Sequence, residues 1–245
     1  MNTLITSLVY FFPDTSEIIR SQILGMLDIW AQHLRGPGCY EGDIVVYTND
    51  SAVSHPLLET VPFSRECEDV KEMFMQRIKN YDVVEPEKYD SILNLDLDIL
   101  AVSDIAELFV QDDSLSAATS QMKTSHPRHA GHFMNPVKRW YSQRFDPCGS
   151  KLGVNCCAFS CSGSKWHFNM HEWCGVIDDL GGVKAKLPLY DQTTLNYALL
   201  EDRFAIKRYP QSWIQHSNWS RTQSVKLWHF PTPNRLQVMQ EFSLV

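Results

Sequence analysis

Hydrophobic and polar positions along this chain change period several times, and the changes mark out its elements. Leu4 to Phe12 is a short apolar run closed by Pro13-Asp14, which reads as a buried strand. Thr15 or Ser16 then offers a cap for a helix from Glu17 to Leu34, ended by Gly36-Pro37-Gly38. Asp43 to Thr48 predicts a second buried strand stopping at Asn49-Asp50. After a loop from Pro56 to Pro62, Asp69 to Asn80 has helical character and Tyr89 to Leu100 supplies another strand. Strands alternating with helices predict an α/β fold whose sheet has parallel members.

The second half is less regular. From Gln111 to Gly149 Ser, His, Pro, Asn and Arg dominate, which predicts a loop-rich region with a short aromatic helix around Lys138 to Phe145. A core strand returns at Leu152 to Ser160. A polar and aromatic stretch from Ser164 to Cys174 leads into a helix over Glu172 to Asp179, and Asp191 to Leu200 predicts another helix, with an acid at its positive end. Val225 to Phe230 reads as a strand or tight turn cut off by Pro231 and Pro233.

The candidate chemistry begins at the strand Tyr89 to Leu100, which carries Asp96 and Asp98 near its end. Residues two apart in a strand share a face, so these carboxylates are predicted to aim together at one divalent cation. Desolvating a carboxylate is costly, and buried acids are paired, hydrogen-bonded or metal-bound. Ligands of α/β sheets also bind beyond the carboxyl ends of strands.

Bulk properties narrow the function classes. A chain of 245 residues can bury a substantial core. Its formal charge of -7, from 29 acids against 22 bases, comes with no basic run to track a nucleic-acid backbone, so nucleic acid is excluded as a partner. Seven cysteines with an adjacent pair at Cys156-Cys157 do not form a disulfide framework. The opening segment lacks the basic region and cleavage site of a signal peptide, so a reducing, cytoplasmic setting is expected. No segment reaches the roughly 18 to 20 apolar residues that span a bilayer, so any membrane contact would be peripheral.

The run Tyr89-Asp-Ser-Ile-Leu-Asn-Leu-Asp-Leu-Asp-Ile-Leu-Ala-Val-Ser-Asp-Ile-Ala-Glu-Leu-Phe109 resembles the signature of GT-A glycosyltransferases, most closely the family 8 group that includes glycogenin and bacterial galactosyltransferases. Three more pieces follow in that family's order. Gly153-Val-Asn-Cys-Cys-Ala158 resembles the strand whose Asn holds the donor sugar, Asp191-Gln192-Thr-Thr-Leu-Asn-Tyr-Ala-Leu199 the helix start at the catalytic centre, and Trp228-His229-Phe230 the motif whose His is the third metal ligand. The resemblance implies a GT-A fold with a mixed, mostly parallel sheet flanked by helices. It implies one domain over 1–245, with a nucleotide-binding half at 1–110 and an acceptor and sugar-binding half at 111–245.

The same resemblance assigns roles. Asp96, Asp98 and His229 would hold the metal, with Asp96 binding either the ion or the ribose. Thr6, Ser7 and Tyr10 would lie at the nucleobase, Arg77 near the donor, Asn155 at the sugar, and Asp191 and Gln192 at the reacting carbon. Two carboxylates and an imidazole leave open positions for diphosphate oxygens on Mn²⁺ or Mg²⁺, with the imidazole favouring Mn²⁺. The implied reaction moves a hexose from a nucleotide-diphosphate sugar, UDP-linked, to a hydroxyl of a glycan, glycolipid or protein, with retention of configuration.

This chain departs from the family pattern after His229. The family continues through Gly to a Lys that contacts the diphosphate, whereas here the sequence runs His229-Phe-Pro-Thr-Pro-Asn-Arg235, leaving Arg235 or Lys226 to supply the charge. Cys156 and Cys157 replace small residues after the Asn. Three rival readings stand beside the enzyme. A sugar nucleotidyltransferase would need a Gly-rich loop where Tyr10-Phe-Phe-Pro-Asp14 stands. A binding module of the same fold would have lost turnover. A zinc site could draw on Cys156, Cys157, Cys161, His167, His171 and Cys174, but these residues lack a Cys-X-X-Cys knuckle. Trp166, His167, Trp173 and Trp213 could stack on an acceptor sugar or build core.

Overall fold

The computed structural model describes residues 1–63, 66–79, 85–123, 152–179, 190–216 and 224–243. The first strand, β1 (Thr3–Val9), leads into α1 (Glu17–Arg35). Ser16 caps that helix by accepting from Ile19 N at 3.3 Å, Glu17 faces the positive end, and His33 and Arg35 face the negative end. Its buried residues, Met26, Leu27, Trp30, Ala31 and Leu34, recur every three or four positions and form one apolar stripe.

β2 (Asp43–Thr48), β3 (Glu59–Pro62), α2 (Val70–Lys79), β4 (Ser91–Leu95) and β5 (Ile99–Ala101) follow. The second half adds β6 (Leu115–Lys123), β7 (Leu152–Ser162), α3 (Gly163–Asp179), α4 (Tyr190–Glu201), β8 (Ile206–Arg208), β9 (Ile214–His216), β10 (Leu227–His229) and α5 (Arg235–Ser243). The seven-stranded sheet has the order β3-β2-β1-β4-β7-β6-β8. It is mixed and mostly parallel, with antiparallel pairing only on the two sides of β7. A three-stranded sheet, β5-β10-β9, lies beside it.

Both faces of the large sheet are covered. On one face Leu4, Tyr47, Ile92, Phe159 and Cys161 pack with Met75 and Ile78 of α2, Trp166 and Trp173 of α3, and Leu195 of α4. On the other, Ile5, Val46, Leu93 and Leu95 pack with Leu27, Trp30 and Leu34 of α1. A smaller core of Met26, Leu100, Trp228, Phe230 and Met239 joins α1, the small sheet and α5. Gly163, where β7 turns into α3, is required by close approach: a Cβ there would collide with the carbonyl oxygens of Pro86 and Tyr89.

Several expectations need correction. The run from Tyr89 to Leu100 is not one strand. β4 stops at Leu95, and Asp96 to Asp98 turn the chain out of the large sheet so that β5 can pair with β10. The segment from Pro56 to Pro62 holds an edge strand, β3, where a terminal proline costs no ladder bond. Part of the region read as loop is β6, a strand built largely from Ser, Ala and Thr. The stretch from Ser164 is helical from Gly163 onward, and Trp166 and Trp173 are core residues at 1% and 0% exposure, not a stacking surface. β8, β9 and α5 had no counterpart in the sequence reading. The aromatic helix around Lys138 to Phe145 lies outside the described residues.

Candidate functional site

The site forms where the turn after β4 meets α2, α4, β10 and the first residue of α5. The turn is fixed by two backbone bonds. Asp96 N donates to Cys157 O of β7 at 2.9 Å, and Phe230 N donates to Asp98 O at 2.8 Å. Because His229 pairs with Ile99 in the small sheet, its ring is delivered beside Asp98. His229 Nε2 lies 3.5 Å from Asp98 Oδ1, and Arg235 Nη1 donates to Asp98 Oδ2 at 2.7 Å.

Asp96 faces the other way, toward α2. Its Oδ1 pairs with Arg77, which also pairs with Oδ2 of Asp191 at the start of α4. The bridge is buried at both ends of the second pair, where the Arg77 and Asp191 side chains are each 7% exposed, whereas Asp96 keeps 32%. Asp191 Oδ1 accepts from Gln192 N at 2.7 Å, so both oxygens of this carboxylate are engaged. The helix carrying it is anchored by Asn196, whose amide exchanges two 2.8 Å bonds with the backbone of Val154 in β7. That anchor packs α4 against β7, the strand that carries Asn155.

Asn155 is half-buried at a bulge where β7 departs from β6, and its Oδ1 accepts from Cys157 N at 2.9 Å. Thr6 is buried in β1 and its Oγ1 accepts from Asn94 Nδ2 at 3.0 Å. Tyr10 lies just past β1, with its hydroxyl accepting from Cys67 N at 2.8 Å and its ring edge-on to Phe12. Lys226 is not at the site: its Nζ donates to Asp104 O at 3.0 Å and pairs with Glu107 at 2.6 Å. Between the two candidate cations, only Arg235 reaches the acidic turn.

Electrostatics follow from this packing. Burial raises the Asp96 pKa to about 6, with Arg77 opposing it and the neighbouring Asp98 adding to it. Burial also acts to raise Asp98, but His229 and Arg235 overcome it and hold Asp98 below the usual carboxylate range. Burial would lower His229, yet the Cys157 thiol and Asp98 outweigh it and push the imidazole up to about 11. Three carboxylates are thus balanced by three cations: Asp96, Asp98 and Asp191 against Arg77, Arg235 and protonated His229.

Asp98 and His229 have the chemistry to hold a hard divalent ion with open positions, and they already adjoin. Asp96 would join them by releasing Arg77. In the arrangement present, the described residues hold no group of three or more His, Cys, Asp or Glu side chains close enough for an ion. The predicted triad is therefore brought together at Asp98 and His229 and parted at Asp96. The same result applies to the described members of the cysteine and histidine cluster, Cys156, Cys157, Cys161, His167, His171 and Cys174. Two contributors escaped the sequence reading. Asn196 was legible as a polar residue one helical turn from Gln192, and Cys157 sits beside His229 through tertiary pairing that no local pattern records.

The architecture is the GT-A fold, which the chain shares with solved structures. The chain matches two crystal structures of LgtC. One is an active-site mutant, with a TM-score of 0.63 at 11% identity over 98% of this chain and 95% of that chain. The other is the galactosyltransferase in complex with donor and acceptor sugar analogues, with a TM-score of 0.64 at 10% identity over 98% of this chain and 94% of that chain. No family model matches the sequence, and no curated protein does. Among the described residues no helix is long and apolar enough to cross a membrane.

Proposed function

We propose that this protein is a glycosyltransferase that moves a hexose from a nucleotide-diphosphate sugar, most simply a UDP-sugar, to a hydroxyl of a glycan, glycolipid or protein acceptor. One observation carries the reading: Asp98 and His229, delivered by β4 and β10 from opposite halves of the chain, adjoin at 3.5 Å within a fold shared with a galactosyltransferase. Buried charges are retained where they are paired or bind ions, and this pair lies at the carboxyl end of a central parallel strand.

In this reading Asp98, His229 and Asp96 would hold Mn²⁺ or Mg²⁺, which would supply positive charge to the diphosphate leaving group. Arg235 supplies the further positive charge at the diphosphate that the family's lysine would otherwise give. Thr6 and Tyr10 lie at the nucleobase, and Asn155, Asp191, Gln192 and Arg77 position the sugar. Asp191 has both oxygens engaged, by Gln192 N and Arg77. That suits orientation and charge balance better than nucleophilic attack, and it favours same-face delivery of the acceptor for a retaining outcome.

The 1–110 half contributes the nucleotide side and 111–245 the sugar and acceptor side of one catalytic domain, in a cytoplasmic protein. The test is donor consumption. Incubation with UDP-hexoses and Mn²⁺, with water or glycan acceptors, should release UDP. Tight UDP-sugar binding without release, across donors and acceptors, would replace the enzyme by a binding module.

A further inference from the structure

The proposed donor site leaves His167 and His171 of α3 unused. Cys156, Cys157 and Cys161 are buried and Cys174 packs partly against the core, whereas the His167 and His171 side chains stand 52% and 76% exposed. Four positions apart on one helix, the two are neighbours on its outer face, with Cβ atoms about 5 to 6 Å apart. The inner face of the same turns is anchored in the core by Trp166, Met170 and Trp173. The backbone beneath the pair is therefore held in place.

Each ring also has a carboxylate beside it. His167 Nε2 lies 3.9 Å from Glu87 Oε2, and His171 Nδ1 lies 3.7 Å from Glu172 Oε1. Glu87 belongs to the short helical turn Pro86–Lys88, which is kept against the start of α3 by the close approach of Pro86 O to Gly163. With Glu172 at its Nδ1, His171 presents Nε2 as the ligand nitrogen, and a carboxylate at the other ring nitrogen is the usual companion of a metal-bound imidazole.

We propose that His167 and His171 form a two-histidine chelate for Zn²⁺ or Cu²⁺, binding through Nε2 of each ring, with Glu87 as an added oxygen ligand and water completing the coordination. The described residues hold no ready-made group of three such ligands. The two imidazoles carry the site, and Glu87, whose side chain is 73% exposed, joins by rotation. Imidazole suits Zn²⁺ and Cu²⁺, whereas Mg²⁺ and Mn²⁺ favour carboxylate, carbonyl and water oxygens. The chelate is thus separate in place and in ion preference from the proposed donor site, and it does not depend on the transfer reaction.

The experiment titrates the full chain with Zn²⁺ alone and, in a parallel arm, with Mg²⁺ alone, and follows each imidazole by nitrogen NMR of labelled histidine. Zn²⁺ should move the His167 and His171 signals along one saturation curve, and Mg²⁺ should move neither. His171→Gln should weaken the Zn²⁺ response of His167 about tenfold or more, at least the loss seen when a metal-bound histidine loses only its outer partner. His167→Gln should do the same to His171, and Glu87→Gln should weaken both by less. Circular dichroism checks that these exposed substitutions leave the fold intact. Independent curves for the two rings, or an unchanged His167 response in His171→Gln, would overturn the chelate. An equal response to Mg²⁺ would overturn the assigned ion class, and an unchanged affinity in Glu87→Gln would strike the carboxylate from the ligand set.

Discussion

Arg235 Nη1 donates to Asp98 Oδ2 at 2.7 Å, joining the first residue of the last helix to the turn after β4 across 137 positions of chain. The pair has two consequences. A divalent ion must compete with Arg235 for Asp98, and an arginine released by the ion is already at the place where a diphosphate would arrive. Arg235→Ala should therefore tighten Mn²⁺ binding in the absence of nucleotide, by at most about fivefold for a half-exposed pair. It should weaken UDP binding in the presence of Mn²⁺ by about tenfold or more, the scale of a lost hydrogen bond to a charged group. Calorimetric titrations of each ligand read the two effects separately, and a variant that binds UDP with Mn²⁺ as tightly as the wild type would remove Arg235 from the diphosphate site.

Arg77 holds Asp96 and Asp191 together in a largely buried bridge. Removing it strands a carboxylate in the interior, a change that costs on the order of 3 kcal/mol. Arg77→Met should lower stability by that amount in urea unfolding, and Arg77→Met with Asp191→Asn should recover much of it. If the double variant is as unstable as the sum of the two single ones, the pair is not coupled.

Proton release gives a third handle. Asp96 has a folded pKa of about 6 against an ordinary 3.8, so the stabilisation of its protonated form is complete below pH 3.8 and lost as pH rises through about 6. His229, raised from 6.5 to about 11, contributes stability that is complete below 6.5 and lost as pH rises through 11. At pH 7.5 Asp96 is then ionised and His229 carries its proton, which a metal ion must expel. Mn²⁺ titrations in buffers of different ionisation enthalpy should show close to one proton released at pH 7.5, and affinity falling below pH 6. No release would mean that His229 is not a ligand.

Asn196 ties α4 to β7 through two bonds to Val154. Asn196→Leu should cost about 1 to 3 kcal/mol, because it leaves a buried backbone N–H and C=O unpaired. It should also weaken donor binding, since the helix start bearing Asp191 and Gln192 loses its anchor. A fully folded variant that binds UDP-sugars like the wild type would separate the anchor from the site.

Much of this was legible because local pattern and tertiary role agree. The apolar runs at β1, β2 and β7 are strands buried on both faces, and α1 announces its ends through Ser16 and Gly36. The structure brings Asp98 and His229 together, while Asp96 turns to Arg77. What failed was what depends on distant partners. Alternation alone made Asp96 and Asp98 neighbours on one strand face, but pairing of Ile99 with His229 pulls the chain into a second sheet. β6 escaped notice because Ser116, Ala117 and Ala118 owe their burial to β7 and β8, not to their own hydrophobicity. The prolines after Phe230 read as an end, yet Leu236 and Met239 beyond them pack a helix on α1.

The central claim is that a divalent ion held at Asp98 and His229 binds a nucleotide-diphosphate sugar. Its most direct test is thermal unfolding of the wild type and of Asp98→Asn, with UDP-hexoses present or absent and Mn²⁺ present or absent. Ligand bound only by the folded state raises the melting temperature. The account predicts that a donor stabilises the wild type only when Mn²⁺ is added, and that Asp98→Asn abolishes this rise while staying folded. Donor stabilisation that is equal without Mn²⁺, or that survives Asp98→Asn, would contradict it.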